Sequence, residues 1–517
     1  MTDHAPAEPR RLAEPDWDRA ASTFIDASSS EPLYRQLRRF IEASISSGDL
    51  RAGRPLPSSR YLAGALGVSR NTVSLAYQEL IAMAVIESRP RSGLYPVPGR
   101  NGAGQHALPA TDPAQPGTRS TVDWRARLVP VPTNLPHAAS FADWTSFPYP
   151  FLAGQPEPTQ FPVRAWLRAL SEATAGPHIT QSIQDSVDRD DPLLVDVISR
   201  EILPTRGVSA EPSEILVTNG AQQALALIAD ALMDTTTIVA LEDPGFRDAA
   251  HIFARSGASL HPIAVDRMGA QVPVETPHDI VYVTPSHHHP TNVTLSLARR
   301  RALLESARGQ DTIVIEDDYD SEVRFRGRPT PALKALDRDG RVIYIGTFSK
   351  FVAPGLRMGF VVADPALIEA LRERRRYSTK HPAGHMQRAL GIFIDSGEYH
   401  RALRRHRNHL KRKWELISEL LPETLGWELP APPAGGLSIW AQGPDGFDAG
   451  RVSRAASRYG VLVDSGAPYY LGPTAPDSAL RVGFSAISLE AIPAGLRALG
   501  RAVGDVAKEA ITRRSPR

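Results

Sequence analysis

The sequence predicts a multidomain α/β protein: a small winged helix-turn-helix unit, then a larger α/β domain on a mostly parallel sheet. Three observations predict it. Leu33, Leu37, Ile41 and Ile45 form one apolar helical stripe, and two more helical segments and a short basic hairpin follow it. Residues 98–136 are rich in Pro, Gly, Ala, Gln and Thr and poor in large apolar side chains, the composition of a linker. Beyond residue 141, short β-branched runs alternate with helix-like stretches, as strands covered on both faces do.

The boundaries follow. Residues 1–28 read as a mobile arm, 29–97 as the winged helix, 98–136 as the linker and 137–510 as the large domain. Trp124 and Leu128 are candidates to dock the far end of the linker. A chain of 517 residues is long enough for this division. With 42% hydrophobic and 22% charged residues it has an ordinary globular composition. No apolar run approaches the roughly 20 residues that cross a bilayer, so no membrane partner is expected. The first ten residues lack the apolar centre of a signal peptide, so a cytoplasmic location is expected. The absence of cysteine excludes disulfides, thiolate nucleophiles and cysteine-held zinc. The net charge of +2 says little about partners. Basic residues nevertheless crowd the segment from Arg35 to Arg91, a footprint for phosphate. Were charge the only signal, a solvated surface would be the better explanation.

In the first unit, residues 58–66 read as a helix with Leu62 and Leu66 on one face. Gly67 suits a left-handed C-terminal cap and Val68 fills the turn. Ser69 is placed to cap the next helix. There Val73, Ala76 and Leu80 face the core, while Tyr77 is borderline between core and phosphate contact. Arg70, Asn71, Ser74 and Gln78 point elsewhere and supply the long or hydrogen-bonding side chains that major-groove reading needs. Residues 86–95 read as two short strands around a basic turn, a wing that carries Arg89 and Arg91 to the sugar-phosphate backbone. Two helices and a hairpin also describe a small fold with no nucleic-acid role. The joint pattern of turn, cap and basic wing favours double-stranded DNA as the partner.

These residues resemble the GntR-type winged helix, through PLPSSR at 55–60, LGVSRNTV at 66–73 and YQEL at 77–80. The resemblance implies DNA contacts from Arg60, Ser69, Arg70, Asn71 and Thr72.

The large domain offers the four things that pyridoxal phosphate (PLP) needs: a lysine, an acid for the pyridine nitrogen, a phosphate cradle and a ring-stacking group. Lys350 follows an apolar run at 342–345, where it can reach a cleft at the carboxyl edge of a sheet. A lone lysine is usually a surface residue, so its neighbours decide. Residues 313–320, IVIEDDYD, form an apolar run that ends in carboxylates. Asp317 and Tyr319 are two apart, so an extended chain turns both to one face. That pair fits a pyridine nitrogen and the 3-oxygen; a metal site or a helix-capping cluster is the alternative.

The run at 215–217 leads into TNGAQQ and a helix, an anion site in which Gly220, Ala221 and Gln222 form the cradle. Many α/β turns look like this. Ser349 and Arg357 would add donors, Arg357 with a charge-assisted contact. Phe246, beyond the run at 238–241, is placed to stack on the ring, although a single Phe is more often core. Arg481 lies in an otherwise apolar stretch and needs an anion, which a ligand carboxylate would supply.

Together these residues resemble the MocR/GabR regulators, a branch of the fold-type I PLP proteins with an aminotransferase-like domain. The resemblance covers most of 141–500. Its strongest pieces are EDPGF at 242–246, TPSHHHPTNVTLS at 284–296, IEDDYDSEVRF at 315–325, GRPTPALKALD at 327–337 and GTFSKFVAPGLRMG at 346–359. It implies that Lys350 carries the cofactor as an aldimine, Asp317 pairs the pyridine nitrogen and Tyr319 holds the 3-oxygen. It further implies that Ser349 and Arg357 bind phosphate and that Arg481 binds an effector carboxylate. Where the common pattern is Asn-Pro-Thr-Gly, the run here is His289-Pro-Thr-Asn292, with His289 in the Asn position that touches the ring. His287, His288 and His289 leave a strand in different directions and no carboxylate completes a ligand spacing, so no metal is expected. The SHHHPTN wording also has a slight resemblance to regulators of ectoine breakdown.

The expected function is a PLP-dependent transcription regulator. An amino compound exchanges at Lys350 and biases one arrangement of the DNA-binding domains. The family implies a homodimer with two winged helices on two half-sites. The alternative is an active aminotransferase with an appended DNA-binding domain.

Overall fold

The apolar stripe at 33–45 becomes one wall of a small core. In the computed structural model, which describes residues 26, 29, 31–90, 92–97, 123–128, 143–271, 276–350, 352–472 and 476–514, the chain divides into two units, Met1–Leu128 and Val129–Arg517. Almost all of the expected arm and linker, and Arg91, lie outside the described residues.

In the first unit, helix α1 (Leu33–Ser46) packs on α2 (Ser59–Leu66) and α3 (Arg70–Ala82). The hairpin β1 (Ile86–Arg89) and β2 (Gly93–Pro96) pairs antiparallel beside them. Ser58 is the cap of α2 rather than its first residue, since its Oγ accepts from the Tyr61 N–H at 3.2 Å. Gly67 ends α2 at φ 64°. The Ser69 Oγ accepts from the Thr72 N–H at 3.0 Å and starts α3. Leu37, Ile41, Leu62, Val73, Ala76 and Leu80 fill the core. Each such side chain contributes about 1.5–3 kcal/mol by leaving water, the alanine less. Tyr77 belongs to this core: it is buried and its hydroxyl donates to the Pro57 carbonyl at 2.8 Å. Trp124 and Leu128 are exposed around a one-turn helix, Trp124–Arg127.

The second unit is built on an eight-stranded sheet. Its strands are β4 (Ile215–Thr218), β5 (Ile238–Asp243), β6 (Ser259–Asp266), β7 (Gly269–Ala270), β8 (Ile280–Val283), β9 (Ile313–Asp318), β10 (Val342–Thr347) and β11 (Gly359–Val362). Their order is β4-β11-β10-β9-β8-β5-β6-β7. The centre from β10 to β6 is parallel, while β11 runs against both neighbours. The apolar runs named at 215–217, 238–241 and 342–345, and the start of the one at 313–320, are strands, and several continue into polar residues. On β9 the extension is stable because its acids find partners. Glu316 accepts from the N–H groups of Leu333 and Lys334 at 2.8 and 2.9 Å. Asp318 accepts from Arg206 at 2.7 Å and from the Tyr344 hydroxyl at 2.8 Å.

The chain then forms a four-stranded layer ordered β12 (Ser438–Gln442), β14 (Ala479–Gly483), β13 (Val461–Ser465) and β3 (Tyr149–Phe151). It packs on the helices Glu398–Leu425 and Ile492–Arg514 through Trp414, Ile417, Leu480, Val482 and Leu496. Among the described residues no helix is long and apolar enough to cross a membrane.

Candidate functional site

The parallel strands β5, β8, β9 and β10 end on one edge of the sheet, where an open α/β sheet places its ligands. A cavity of about 230 Å³ lies there. Ala221, Gln222, Phe246, His289, Asp317, Tyr319, Ser349, Lys350 and Arg357 all line it, so nine of the eleven residues expected to bind cofactor or effector share one space. Gly220 adjoins it through Arg357. Arg481 is not among the lining residues.

Strand alternation explains the acids. Glu316 and Asp318 turn to one face of β9 and are consumed by the backbone and by Arg206. Asp317 turns to the other face, with Tyr319 beyond the strand end. The Tyr282 hydroxyl donates to Asp317 Oδ2 at 2.9 Å. Burial pushes the Asp317 carboxyl up to about 7, against the lowering pull of that hydroxyl. Burial likewise raises the Tyr319 phenol.

Lys350 stands three residues past β10. Burial, then the positive charge of Arg481, pushes its ammonium down. Its Nζ lies where Gly154 has no side chain: a Cβ there would be 2.8 Å away.

Gly220 caps the helix Ala221–Leu232 at φ 81° and offers no side chain to its free N–H groups. Arg357 folds over this turn. A Cβ on Gly220 would meet its guanidinium at 3.5 Å, and its Nη2 reaches the Asn219 carbonyl and Gln222 Oε1 at 3.4 Å each. The bare helix start and the nearby cation make an anion seat.

The three histidines do diverge. His287 Nδ1 bonds Asp320 at 2.9 Å; His288 bonds Thr291 and the Pro244 carbonyl at 2.7 and 3.0 Å. His289 alone lines the cavity, edge-on to Phe246 with centroids 5.2 Å apart and to Tyr319 at 5.9 Å. Burial, then Arg481 and Lys350, holds its imidazole well below the ordinary value.

Arg481 on β14 is buried, and its partners are internal. Its Nη1 donates to the Tyr469 hydroxyl at 3.0 Å and its Nε to Ser438 Oγ at 3.2 Å. Sequence reasoning missed Tyr469, Tyr282 and Gly154. The signal for Tyr282 was a phenol inside an all-apolar strand, which demands a hydrogen-bond partner.

Four buried polar atoms on cavity-lining residues have no protein partner: Asp317 Oδ1, Tyr319 Oη, Ser349 Oγ and His289 Nδ1. Buried polar groups are seldom left unpaired, so the cavity is built for a polar occupant.

In the first unit, Arg60, Arg70 and Asn71 are exposed, and Arg70 Nε reaches Ser59 Oγ at 3.4 Å across the helix-turn-helix. Ser69 and Thr72 bond each other through their hydroxyls at 2.8 Å. On the wing, Arg89 pairs with Glu87 at 2.7 Å and lies 4.5 Å over the Tyr95 ring.

Comparison with known proteins agrees with both halves. The family described as "Bacterial regulatory proteins, gntR family" matches residues 33–95, and "Aminotransferase class I and II" matches 151–499. The HTH-type transcriptional regulator TauR of Rhodobacter capsulatus is 35% identical over 93% of this chain and 99% of its own. The probable rhizopine catabolism regulatory protein MocR of Rhizobium meliloti is 35% identical over 74% of this chain and 76% of its own. The solved α-aminoadipate aminotransferase LysN of Thermus thermophilus, complexed with N-(5'-phosphopyridoxyl)-L-leucine, superposes with a TM-score of 0.66. It shares 25% identity over 75% of this chain and all of that one. With a gntR-family winged helix and a fold-type I aminotransferase-like domain in one polypeptide, the chain belongs to the MocR/GabR-type transcription regulators.

Proposed function

We propose that this regulator holds pyridoxal phosphate at Lys350, senses an amino compound that exchanges with the lysine there, and passes the change to DNA held by the winged helices of a homodimer. One observation carries the reading: an amine, an acid, a phenol and a bare helix start surround one cavity, and Asp317 Oδ1 and Tyr319 Oη are buried there without a protein partner.

Bound PLP would supply an aldehyde that condenses with amines and a ring that withdraws electrons. The protein residues divide the remaining work. Asp317 Oδ1 would accept from the pyridine nitrogen, and Tyr319 Oη would meet the 3-oxygen. The N–H groups at Gly220, Ala221 and Gln222, with Ser349 Oγ and Arg357, would hold the phosphate. Phe246 would stack on the ring, and His289, at the Asn position of the common pattern, would contact it. The lowered ammonium of Lys350 favours its neutral, nucleophilic form. Arg481 would hold an effector carboxylate.

Arg60, Ser69, Arg70, Asn71 and Thr72 would read the duplex, with Arg89 and Arg91 on its backbone. Residues 98–136 would be the linker between a DNA-binding domain at 29–97 and an effector domain at 137–510. The amine and acid together also suit a working aminotransferase, so turnover is measured alongside sensing.

The test begins with mass. Borohydride treatment after PLP addition adds one cofactor to the wild type and none to Lys350→Ala. A gel-shift on the upstream region of its own gene then compares PLP alone with PLP plus amino compounds. The sensing reading predicts a ligand-dependent shift that Lys350→Ala abolishes, and slow or absent turnover with a keto acid. Binding that ignores both PLP and every amine rejects it; fast turnover replaces it with the enzyme.

A further inference from the structure

Arg481 already has an occupant. Its Nη1 donates to the Tyr469 hydroxyl, and that hydroxyl donates onward to Asp464 Oδ2 at 3.2 Å. Asp464 is the cross-strand neighbour of Arg481 on β13. The guanidinium also sits 5.4 Å from the Tyr469 ring centroid. The phenol and the Asp464 carboxylate thus do for Arg481 what a ligand carboxylate would do, in weaker form, since hydrogen bonds between two charged partners are the strong ones.

Tyr469 is also tied to the cavity wall. It ends a short turn, Ala467–Tyr469. Its carbonyl accepts from the Gly245 N–H at 2.8 Å. Two residues on, the Leu471 N–H donates to Asp243 Oδ1 at 2.9 Å, and the Arg247 guanidinium donates to the Tyr470 carbonyl. All three bonds run to residues 243–247, the segment that carries Phe246 into the cavity. The Tyr469 ring stands edge-on to His289, centroids 5.4 Å apart. One side chain therefore touches the cation and a cavity-lining ring, while its backbone straps the four-stranded layer to the loop after β5.

We propose that Tyr469 is the internal competitor for Arg481: a carboxylate-bearing ligand must displace its hydroxyl, and the displacement loosens the 467–471 strap and moves the Phe246 segment. This rests on Arg481 being the carboxylate-binding residue of the sensing site. Tyr469 acts through Arg481 and is a positioning residue. Linkage fixes the signature. Whatever affinity is lost in breaking the Tyr469–Arg481 bond is the free energy available to the strap, so removing the hydroxyl must raise affinity and lower coupling together. A residue that merely supports the fold would lower both.

The experiment uses the full-length protein loaded with PLP. Glycine, β-alanine and 4-aminobutanoate are titrated by the change in visible absorbance, with propylamine as the carboxylate-free control, and each ligand's effect on DNA affinity is measured. In the wild type the best amino acid binds more tightly than propylamine, and Arg481→Ala removes the difference. Tyr469→Phe is expected to bind that amino acid roughly ten-fold more tightly, to leave propylamine within about two-fold, and to lose most of the ligand effect on DNA. Asp243→Asn, which weakens the strap anchor without touching Arg481, is expected to keep the wild-type affinity ratio and lose coupling. If Arg481→Ala changes nothing, or no amino acid outbinds propylamine, the carboxylate assignment of Arg481 falls and this proposal with it. If Arg481 matters but Tyr469→Phe and Asp243→Asn both retain coupling, the strap alone is overturned.

Discussion

Lys350 and Gly154 are fitted to each other: the lysine Nζ occupies space that any side chain at 154 would invade, 2.8 Å from a would-be Cβ. Gly154 follows β3, far from Lys350 in sequence, and its φ of 84° is one that L-residues rarely adopt. Gly154→Ala therefore has two effects. The strained backbone costs about 1 kcal/mol of stability. The contact itself falls on the flexible end of a side chain, so the amine swings away rather than the fold giving. PLP incorporation trapped by borohydride should slow or weaken roughly ten-fold, while the cofactor-free protein melts only slightly earlier. Unchanged incorporation would show that the amine is not used in the position seen here.

Asp317 makes the cofactor-free protein pH-sensitive in a defined direction. Its folded value is raised from 3.8 to about 7, so the native state binds the extra proton. Between those values the unfolded chain ionises while the folded one does not, and stability declines as pH rises through that window. The contribution is full below about pH 4 and gone above about pH 7. Asp317→Asn removes it and keeps an acceptor for Tyr282. Melting of the cofactor-free variant should match wild type near pH 4 and exceed it near pH 8, by roughly 2–4 kcal/mol at most. PLP affinity should fall. A variant less stable at pH 8 than wild type would mean the carboxylate is already stabilised by its surroundings.

In the winged helix, structure and recognition separate by residue. Ser69 caps α3, so Ser69→Ala should cost about 1 kcal/mol of stability besides any loss in DNA binding. Arg60 makes no such contact and is exposed. Arg60→Gln should leave melting unchanged and lower the slope of log affinity against log salt by about 1. A lowered slope would place Arg60 on a phosphate, whereas an unchanged slope with weakened binding would place it on a base edge.

Much of this was legible in the chain itself, for reasons that differ by residue. Strands β4, β5, β8, β9, β10 and β11 could be read because their burial requires continuous apolar, largely β-branched runs. The Asp317–Tyr319 pair could be read because side chains two apart on a strand share a face. Strand β6 was hidden, since its residues are half exposed and include Pro262, which is tolerated because β7 covers only Val265 and Asp266 and leaves that side of Pro262 without a strand. Gly154 and Tyr469 were hidden for another reason: each reaches the site across more than a hundred residues, through close approaches that no local pattern encodes. Arg481 is buried, as its apolar surroundings in the sequence suggested, but its present partners are the Ser438 hydroxyl and a phenol supplied by a short turn, which has no periodicity to recognise.

His289 supplies a final prediction. Burial and two nearby cations keep its imidazole neutral across the physiological range, unlike an ordinary histidine, which changes charge between about pH 5 and 8. It is set edge-on to three rings, Phe246, Tyr319 and Tyr469, and each such contact contributes about 0.5–1.5 kcal/mol. Its role is therefore packing and orientation rather than titration. His289→Asn should weaken PLP binding roughly ten-fold by removing those contacts, without altering the shape of the affinity profile between about pH 5 and 8. Titration of both proteins with PLP across that range decides it. A step near pH 6 in the wild type that vanishes in His289→Asn would show that the imidazole takes up a proton on this path, and that the two cations beside it are neutralised when the cavity fills.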